Sequence, residues 1–207
     1  MTQLVERLPL LKRAAQTVLT PSPEPPSPAS VVEALLECEK AAKKSKQRYE
    51  FKELIGTWRL CFITGTKKTR QRAGIVMGSG RYLPRWVKIQ LSYSPATASE
   101  VPAETEAIAG QMHNFVQFGS LQFALTGPAK FLPVKNILAF DFTRMSVKCF
   151  GIKLYDGFIR GGEQSEAQFY GKPVKNQAFF AYFLVTPEAI AARGRGGGLA
   201  LWGKVND

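Results

Sequence analysis

The residue types that carry chemistry are few in this sequence, and they do not gather. His113 stands beside Asn114, with no serine, cysteine or carboxylate at a spacing that makes a triad or a metal site. Cys38, Cys61 and Cys149 are an odd number without metal-type spacing, and they read as free thiols in a reducing compartment. No carboxylate pair is set up for acid–base work. Asp141 and Asp156 sit in or beside apolar strands, where Arg144 or Arg160 can pair with them as structural partners. Gly78-Ser79-Gly80-Arg81 lacks the third glycine and the following helix of a dinucleotide fingerprint. Arg193-Gly194-Arg195-Gly196-Gly197-Gly198 is too short for an RNA-binding RGG segment and abuts a strand, so it reads as a flexible hairpin turn. By elimination the residues point away from an enzyme, and no metal or certain cofactor is called for.

Two other groups remain. The first is charge. The 207 residues carry a formal charge of +12, unevenly placed. Lys67, Lys68, Arg70, Arg72, Arg81, Arg85 and Lys88 follow one another without an Asp or Glu, whereas 91–133 is mildly acidic. This basic loop can meet anionic lipid headgroups, nucleic acid or an acidic protein, and charge alone does not choose. The second group is aromatic and apolar side chains at strand spacing, among them Trp58, Phe62, Phe115, Phe118, Phe123, Phe140, Phe180 and Tyr182. Most belong to a core. A closed antiparallel barrel of about eight strands can also hold an apolar ligand when its interior is not filled. Phenylalanine-rich walls with few polar groups suit an isoprenoid or pigment tail better than a sugar or a nucleotide.

The elements that must position these residues follow from period and punctuation. An amphipathic helix is expected over 2–19, with Leu4, Leu8, Leu11 and Val18 along one side. The proline-rich run 20–28 stops it and acts as a stiff linker, so 1–29 is read as an arm and 30–207 as the main domain. The arm can dock on the domain, a partner or a membrane surface. A second helix is expected from a Ser30/Glu33 capping box to about Tyr49, with Val32, Leu35, Leu36 and Glu39 on one face and lysines crowding its C-terminal half. From Thr57 the period becomes two. Strands are expected over 57–64, 86–93, 115–125 with a bulge at Gly119, 137–143, 146–155, 178–185 and 199–205. The cleanest alternation puts Val87, Ile89, Leu91 and Tyr93 on one face and Lys88, Gln90 and Ser92 on the other. In 115–125 and 177–185 both faces are apolar, so the outer one must meet a helix, a partner chain or a lipid-like ligand. No apolar run approaches the roughly 20 residues of a membrane-spanning helix. Charges at Glu6, Arg7, Lys12 and Arg13 argue against a secretory signal, and the start lacks transit-peptide character, so a bacterial or already mature chain is expected.

The start Leu54-Ile55-Gly56-Thr57-Trp58-Arg59-Leu60 resembles the opening of lipocalin-type barrels and, more specifically, of the plastid-lipid-associated proteins, the fibrillins of chloroplasts and cyanobacteria. The later Tyr155-Asp156-Gly157-Phe158-Ile159-Arg160-Gly161-Gly162 is similar to that family's C-terminal motif, with altered spacing and an insertion over 164–176 that fits a divergent subgroup. The resemblance spans about 35–205. It implies a mainly β, α+β chain: an antiparallel lipocalin-like barrel preceded by two helices. It implies that Trp58 plugs the closed end under a cation–π lid supplied by an arginine such as Arg160. It also implies binding of a lipophilic molecule (a quinone, a carotenoid or another prenyl lipid) at the thylakoid surface. The cell is then a cyanobacterium, with the protein cytoplasmic or peripheral to the thylakoid, or a plastid if eukaryotic. The phycobiliprotein lyases, which handle tetrapyrroles, share the barrel. In this reading Lys67 to Lys88 meet an anionic membrane. Two alternatives stay open. One is a nucleic-acid-binding barrel that stacks bases on Tyr82 and Trp86, against which the aromatics are mostly set in apolar strands. The other is a protein-interaction scaffold with a filled barrel, which docks through the N-terminal arm and the basic loop.

Overall fold

A computed structural model of the chain describes residues 2–20, 24–65, 80–96 and 107–205. The helices are α1 (Thr2–Gln16), α2 (Pro28–Ser45), the short α3 (Phe51–Leu54) and α4 (Gly162–Ala167). The strands are β1 (Gly56–Thr64), β2 (Gly80–Tyr82), β3 (Val87–Pro95), β4 (Ile108–Phe118), β5 (Leu121–Leu132), β6 (Ile137–Phe140), β7 (Arg144–Cys149), β8 (Ile152–Phe158), β9 (Ala178–Val185), β10 (Ala189–Gly194) and β11 (Leu199–Lys204). Eight of them close an antiparallel barrel in the order β4-β3-β1-β11-β10-β9-β6-β5, with β5 pairing back onto β4. The fold is thus mainly β with N-terminal helices, as the period-two patterning predicts.

Two apolar cores flank one barrel wall. Inside the barrel, Trp58, Leu91, Tyr93, Met112, Phe131, Leu138, Phe140, Tyr182, Ile190 and Trp202 pack together, closed at one end by Phe51 and Leu54 of α3. Outside, α1 and α2 cover the outer faces of β1, β9, β10 and β11, burying Leu11, Ala14, Val18, Val31 and Leu35 against Cys61, Phe62, Phe183 and Leu201. Helix 1 is therefore packed into the second core, and its polar side is tied down by Arg7–Glu37 (2.6 Å) and Lys12–Glu188 (3.1 Å). The side chain of Leu4 lies outside the described residues. The two-sided apolarity of β9 has the same explanation: Tyr182 faces the barrel interior and Phe183 faces α2.

Several boundaries differ from expectation for local reasons. Helix α2 begins at Pro28, and its cap is Ser27, whose Oγ accepts from the Ser30 N–H (3.2 Å). Proline at the first helical position loses no hydrogen bond, so the Ser30 box is superseded. The helix stops at Ser45 because Lys46 takes a left-handed conformation, and the reciprocal capping box sits instead at Glu50 and Glu53 of α3. The expected strand 115–125 is two strands: Gly119, with φ +57, is a hairpin turn between β4 and β5, not a bulge. The expected strand 146–155 is likewise the β7–β8 hairpin, turning at Phe150 and Gly151. The glycines at 194–198 do form a hairpin turn, between β10 and β11. The segment 162–176 folds as α4 and a 3-10 turn (Val174–Asn176) on the outer wall. There the Lys130 ammonium donates to the carbonyls of Tyr170 (2.9 Å) and Lys172 (2.7 Å), and Phe169 is buried.

Candidate functional site

The closed end of the barrel is built around Trp58. Its indole is 1% exposed and its Nε1–H donates to the Leu54 carbonyl (2.7 Å), which fixes α3 across the opening. The cation over the ring is Lys204, with Nζ 4.4 Å from the centroid and donating to the Ile55 carbonyl (2.8 Å). This corrects the expectation for Arg160. That residue is exposed in the turn after β8, in a left-handed conformation. Sequence reasoning missed Lys204 because a lone lysine near a C-terminus carries no motif; its register partner, Trp58, is the only signal. The neighbouring Gly56 has φ +123, and a Cβ there would sit 1.9 Å from Lys204 Nζ, so the glycine makes room for the lid. We predict that Lys204→Met lowers stability by about 1 kcal/mol, read as a lower thermal midpoint, and that Arg160→Ala leaves it unchanged.

Midway up, aromatic side chains of the interior pack against one another. The Tyr93 and Tyr182 hydroxyls meet at 2.6 Å, and burial pushes both phenols well above the ordinary tyrosine range. Phe140 stacks on Phe180 (5.1 Å between centroids), and Phe180 meets Trp202 edge-on (5.3 Å).

Above that level the ring splits. Strand β1 pairs with β3 over 56–59 but with β2 over 62–64, while β5 pairs with β6 over 129–132 but with β7 over 121–126. A five-stranded sheet, β3-β4-β5-β7-β8, therefore leaves the ring and ends at the free edge of β8. Its registers put whole rows on one face. Ile89, Val116, Phe123, Val147 and Tyr155 form one row; Leu91, Asn114, Leu125, Met145 and Gly157 form the row below. These rows continue the face that carries Met112 and Tyr93 into the barrel. The opposite face carries Lys88, Gln117, Gln122, Lys148 and Lys153. The inner face is half-buried as far as β7 and exposed at Tyr155, and its polar groups are the Tyr155 hydroxyl, which donates to the Phe158 carbonyl (2.7 Å), and Asn114, whose Oδ1 is buried with no hydrogen-bond partner among the described residues. Trp202 Nε1, in the barrel below, is also buried without a partner. Orphaned buried polar atoms are rare in native proteins, and a water or a ligand group can complete the pairing at such a place.

The candidate residues fall into distinct places. Trp58, Phe140, Phe180 and Tyr182 line the barrel interior, and Phe123 lies on the inner face of the five-stranded sheet. Phe118 has the same orientation at the rim and is exposed. Phe62 is not in the interior: the register shift between Leu60 and Phe62 turns it outward, against Val32 and Tyr82 in the helix-covered core. Phe115 is also on the outer face, paired with Gln90, under Lys88 Nζ at 5.8 Å. Of the basic loop, Lys67, Lys68, Arg70 and Arg72 lie outside the described residues. Arg81 is exposed on β2, Arg85 is exposed beside Trp86, and Lys88 is half-buried on the outer face of β3. Tyr82 packs edge-on against Phe62 (5.0 Å), and its hydroxyl donates to the Pro26 carbonyl (2.8 Å), so it is not a free stacking surface for a base.

The remaining chemistry-bearing residues have structural surroundings. Asp156 pairs with Lys153 (2.7 Å) and Asp141 accepts from Ser165 (3.1 Å), rather than either pairing with Arg144 or Arg160; Arg144 faces Glu166 at 3.7 Å. His113 lies between Ser92 and Thr126 in register, and burial lowers its pKa. The Cys38 and Cys61 thiols are buried, which raises their pKa to about 11 and about 12. No group of His, Cys, Asp and Glu among the described residues is placed to hold a metal ion. Comparison of the chain with protein-family models, with curated proteins and with solved structures gives no match.

Proposed function

We propose that this chain is a non-enzymatic binding module for a lipophilic molecule, held between the packed lower barrel and the apolar inner face of β3-β4-β5-β7-β8. The observation that carries this reading is the pair of register rows from Ile89 to Tyr155 and from Leu91 to Gly157: a half-buried apolar face with one unpartnered acceptor, Asn114 Oδ1. An elongated apolar ligand gains about 25 cal/mol for each Å² it removes from water on such a face. One hydrogen-bond donor on the ligand would satisfy Asn114 and fix its orientation. A hydroxylated prenyl lipid, a quinol, a hydroxylated carotenoid or a tetrapyrrole with ring N–H groups has that chemistry. A thylakoid location follows only from the resemblance of the Gly56-Thr57-Trp58 start to the fibrillins, and it belongs to the same proposal. The half-buried, hydrogen-bonded position of Tyr82, packed edge-on against Phe62, weighs against the nucleic-acid reading.

The reading predicts that a short-chain prenyl quinol quenches intrinsic tryptophan fluorescence saturably. Leu125→Glu, which sets a charge in the middle of the inner face, should weaken that binding by about a hundredfold. Asn114→Leu should weaken a quinol by about tenfold and leave its dimethyl ether unchanged. Quenching that does not saturate, or that is indifferent to Leu125→Glu, would contradict the proposal.

A further inference from the structure

The rim of the five-stranded sheet carries a third register row: Val87, Phe118, Leu121, Cys149 and Ile152. Large apolar side chains stand out from it into solvent. Trp86 is 64% exposed, Phe118 55%, Phe150 82% and Ile152 67%. They form one contiguous edge. Trp86 and Phe118 meet edge-on at 4.9 Å, and the Phe150 N–H donates to the Ser120 carbonyl (3.2 Å), which joins the tips of the β4–β5 and β7–β8 hairpins.

Phe150 is a further anomaly. It has φ +49 ahead of Gly151 at φ +79, the primed hairpin geometry in which asparagine or glycine is favoured and a bulky side chain is strained. An aromatic ring placed in a strained, solvent-facing turn is not there for local stability.

Charge surrounds this edge. The rim segments 85–88, 117–122 and 148–153 contain Arg85, Lys88, Lys148 and Lys153 and no Asp or Glu, although Lys153 is paired with Asp156 of the same strand (2.7 Å). The cations lie beside or behind the aromatics, because Lys88, Lys148 and Lys153 belong to the opposite face of the same strands.

We infer that this rim is a membrane-docking edge: Trp86, Phe118, Phe150 and Ile152 enter the interface of an anionic bilayer, and Arg85, Lys88 and Lys148 meet its headgroups. Separate protruding side chains at hairpin tips suit a fluid interface, where each finds its own depth, better than a preformed groove on a protein. Tryptophan and phenylalanine are at home at that depth, and each nearby cation adds attraction to anionic lipid. The inference goes beyond the proposed ligand-binding function and stands whether or not the inner face of the sheet is occupied. It shares Arg85 and Lys88 with the basic loop over 67–88 and adds Trp86, Phe118, Lys148, Phe150 and Ile152.

The test uses full-length protein with vesicles of phosphatidylcholine, with and without phosphatidylglycerol. Trp58 and Trp202 are 1% and 2% exposed, so a change in emission on vesicle addition reports Trp86. The expected result is flotation with the phosphatidylglycerol vesicles, a blue shift, and quenching by lipids brominated in the upper acyl chain. Phe150→Asn should lower partitioning about tenfold while holding or raising the thermal midpoint, since asparagine accepts the left-handed turn. Phe118→Ser should lower partitioning by a similar factor. Three results would overturn the inference: no flotation, flotation equal in wild type and both variants, or Trp86 emission unchanged on binding. A concentration-dependent dimer that Phe150→Asn abolishes, with no vesicle binding, would assign the rim to a second copy instead and overturn it as well.

Discussion

Trp58→Ala lowers the unfolding free energy by about 3–5 kcal/mol, the largest loss expected of any single substitution in this chain. The indole is fully buried, holds α3 through its bond to the Leu54 carbonyl, and is the surface on which Lys204 rests. Removing it opens a cavity at the closed end, orphans a carbonyl and removes the lid's partner together. Urea unfolding followed by far-ultraviolet circular dichroism checks this: the midpoint falls while the dependence on urea keeps its slope. Trp86→Ala is the matched control. Its ring is largely in water, so its effect on stability stays within about 0.5 kcal/mol. Equal losses at the two positions would mean that the closed end is not organised by Trp58.

Arg193→Met is the second large effect, about 2–3 kcal/mol at neutral pH. Arg193 on β10 donates to both oxygens of Glu39 on α2, with Nε to Oε1 at 2.8 Å, and also to the Gly197 carbonyl (2.6 Å). It therefore joins the helical layer, the barrel wall and the β10–β11 turn. Glu39 is 8% exposed, so losing the guanidinium leaves its buried carboxylate with Lys43 as its remaining ion-pair partner among the described residues. The hydrogen bonds from Arg193 hold the Glu39 carboxyl below the ordinary glutamate range, outweighing the opposing effect of burial. The sign follows. A carboxyl with a depressed folded pKa contributes fully above its unfolded value and loses that contribution as pH falls through the folded one. Wild-type stability should thus hold at neutral pH and decline in acid below the ordinary glutamate pKa, whereas Arg193→Met is weaker at neutral pH and declines less steeply. Parallel acid profiles for the two proteins would contradict this role.

Much of the barrel could be read from the chain, because its strands follow the period of two. Val87, Ile89, Leu91 and Tyr93 do share a face, and the Gly56-Thr57-Trp58 start does open the first strand. What stayed hidden depends on partners distant in sequence. Strand β10 is Ala189-Ile190-Ala191-Ala192, which reads as helix by propensity. It is a strand because small side chains fit opposite Tyr182 and Leu201 inside and outside a tight wall. Phe62 and Phe115 look like lining residues by alternation, yet a register shift in β1 and the parity of β4 turn both outward. The split of the ring, which makes the candidate site, arises where β5 changes partner near Gly127 and Pro128. The Asp141 carbonyl lies 2.0 Å from where a Cβ on Gly127 would be, a crowding that only the fold reveals. Helix 1 was legible as a helix but not as part of the core, because its apolar stripe is short and its anchors, Glu37 and Glu188, are far along the chain.

The most direct measurement is to isolate the full chain from a photosynthetic host, extract it with organic solvent, and identify by mass spectrometry and absorbance what leaves it. One predominant lipophilic molecule carrying a hydrogen-bond donor is expected, near one per chain, with its loss from Leu125→Glu protein that still folds. An extract with no such molecule, from protein that also takes up no prenyl quinol when it is supplied, would contradict the account and leave the inner face of the sheet to a protein partner.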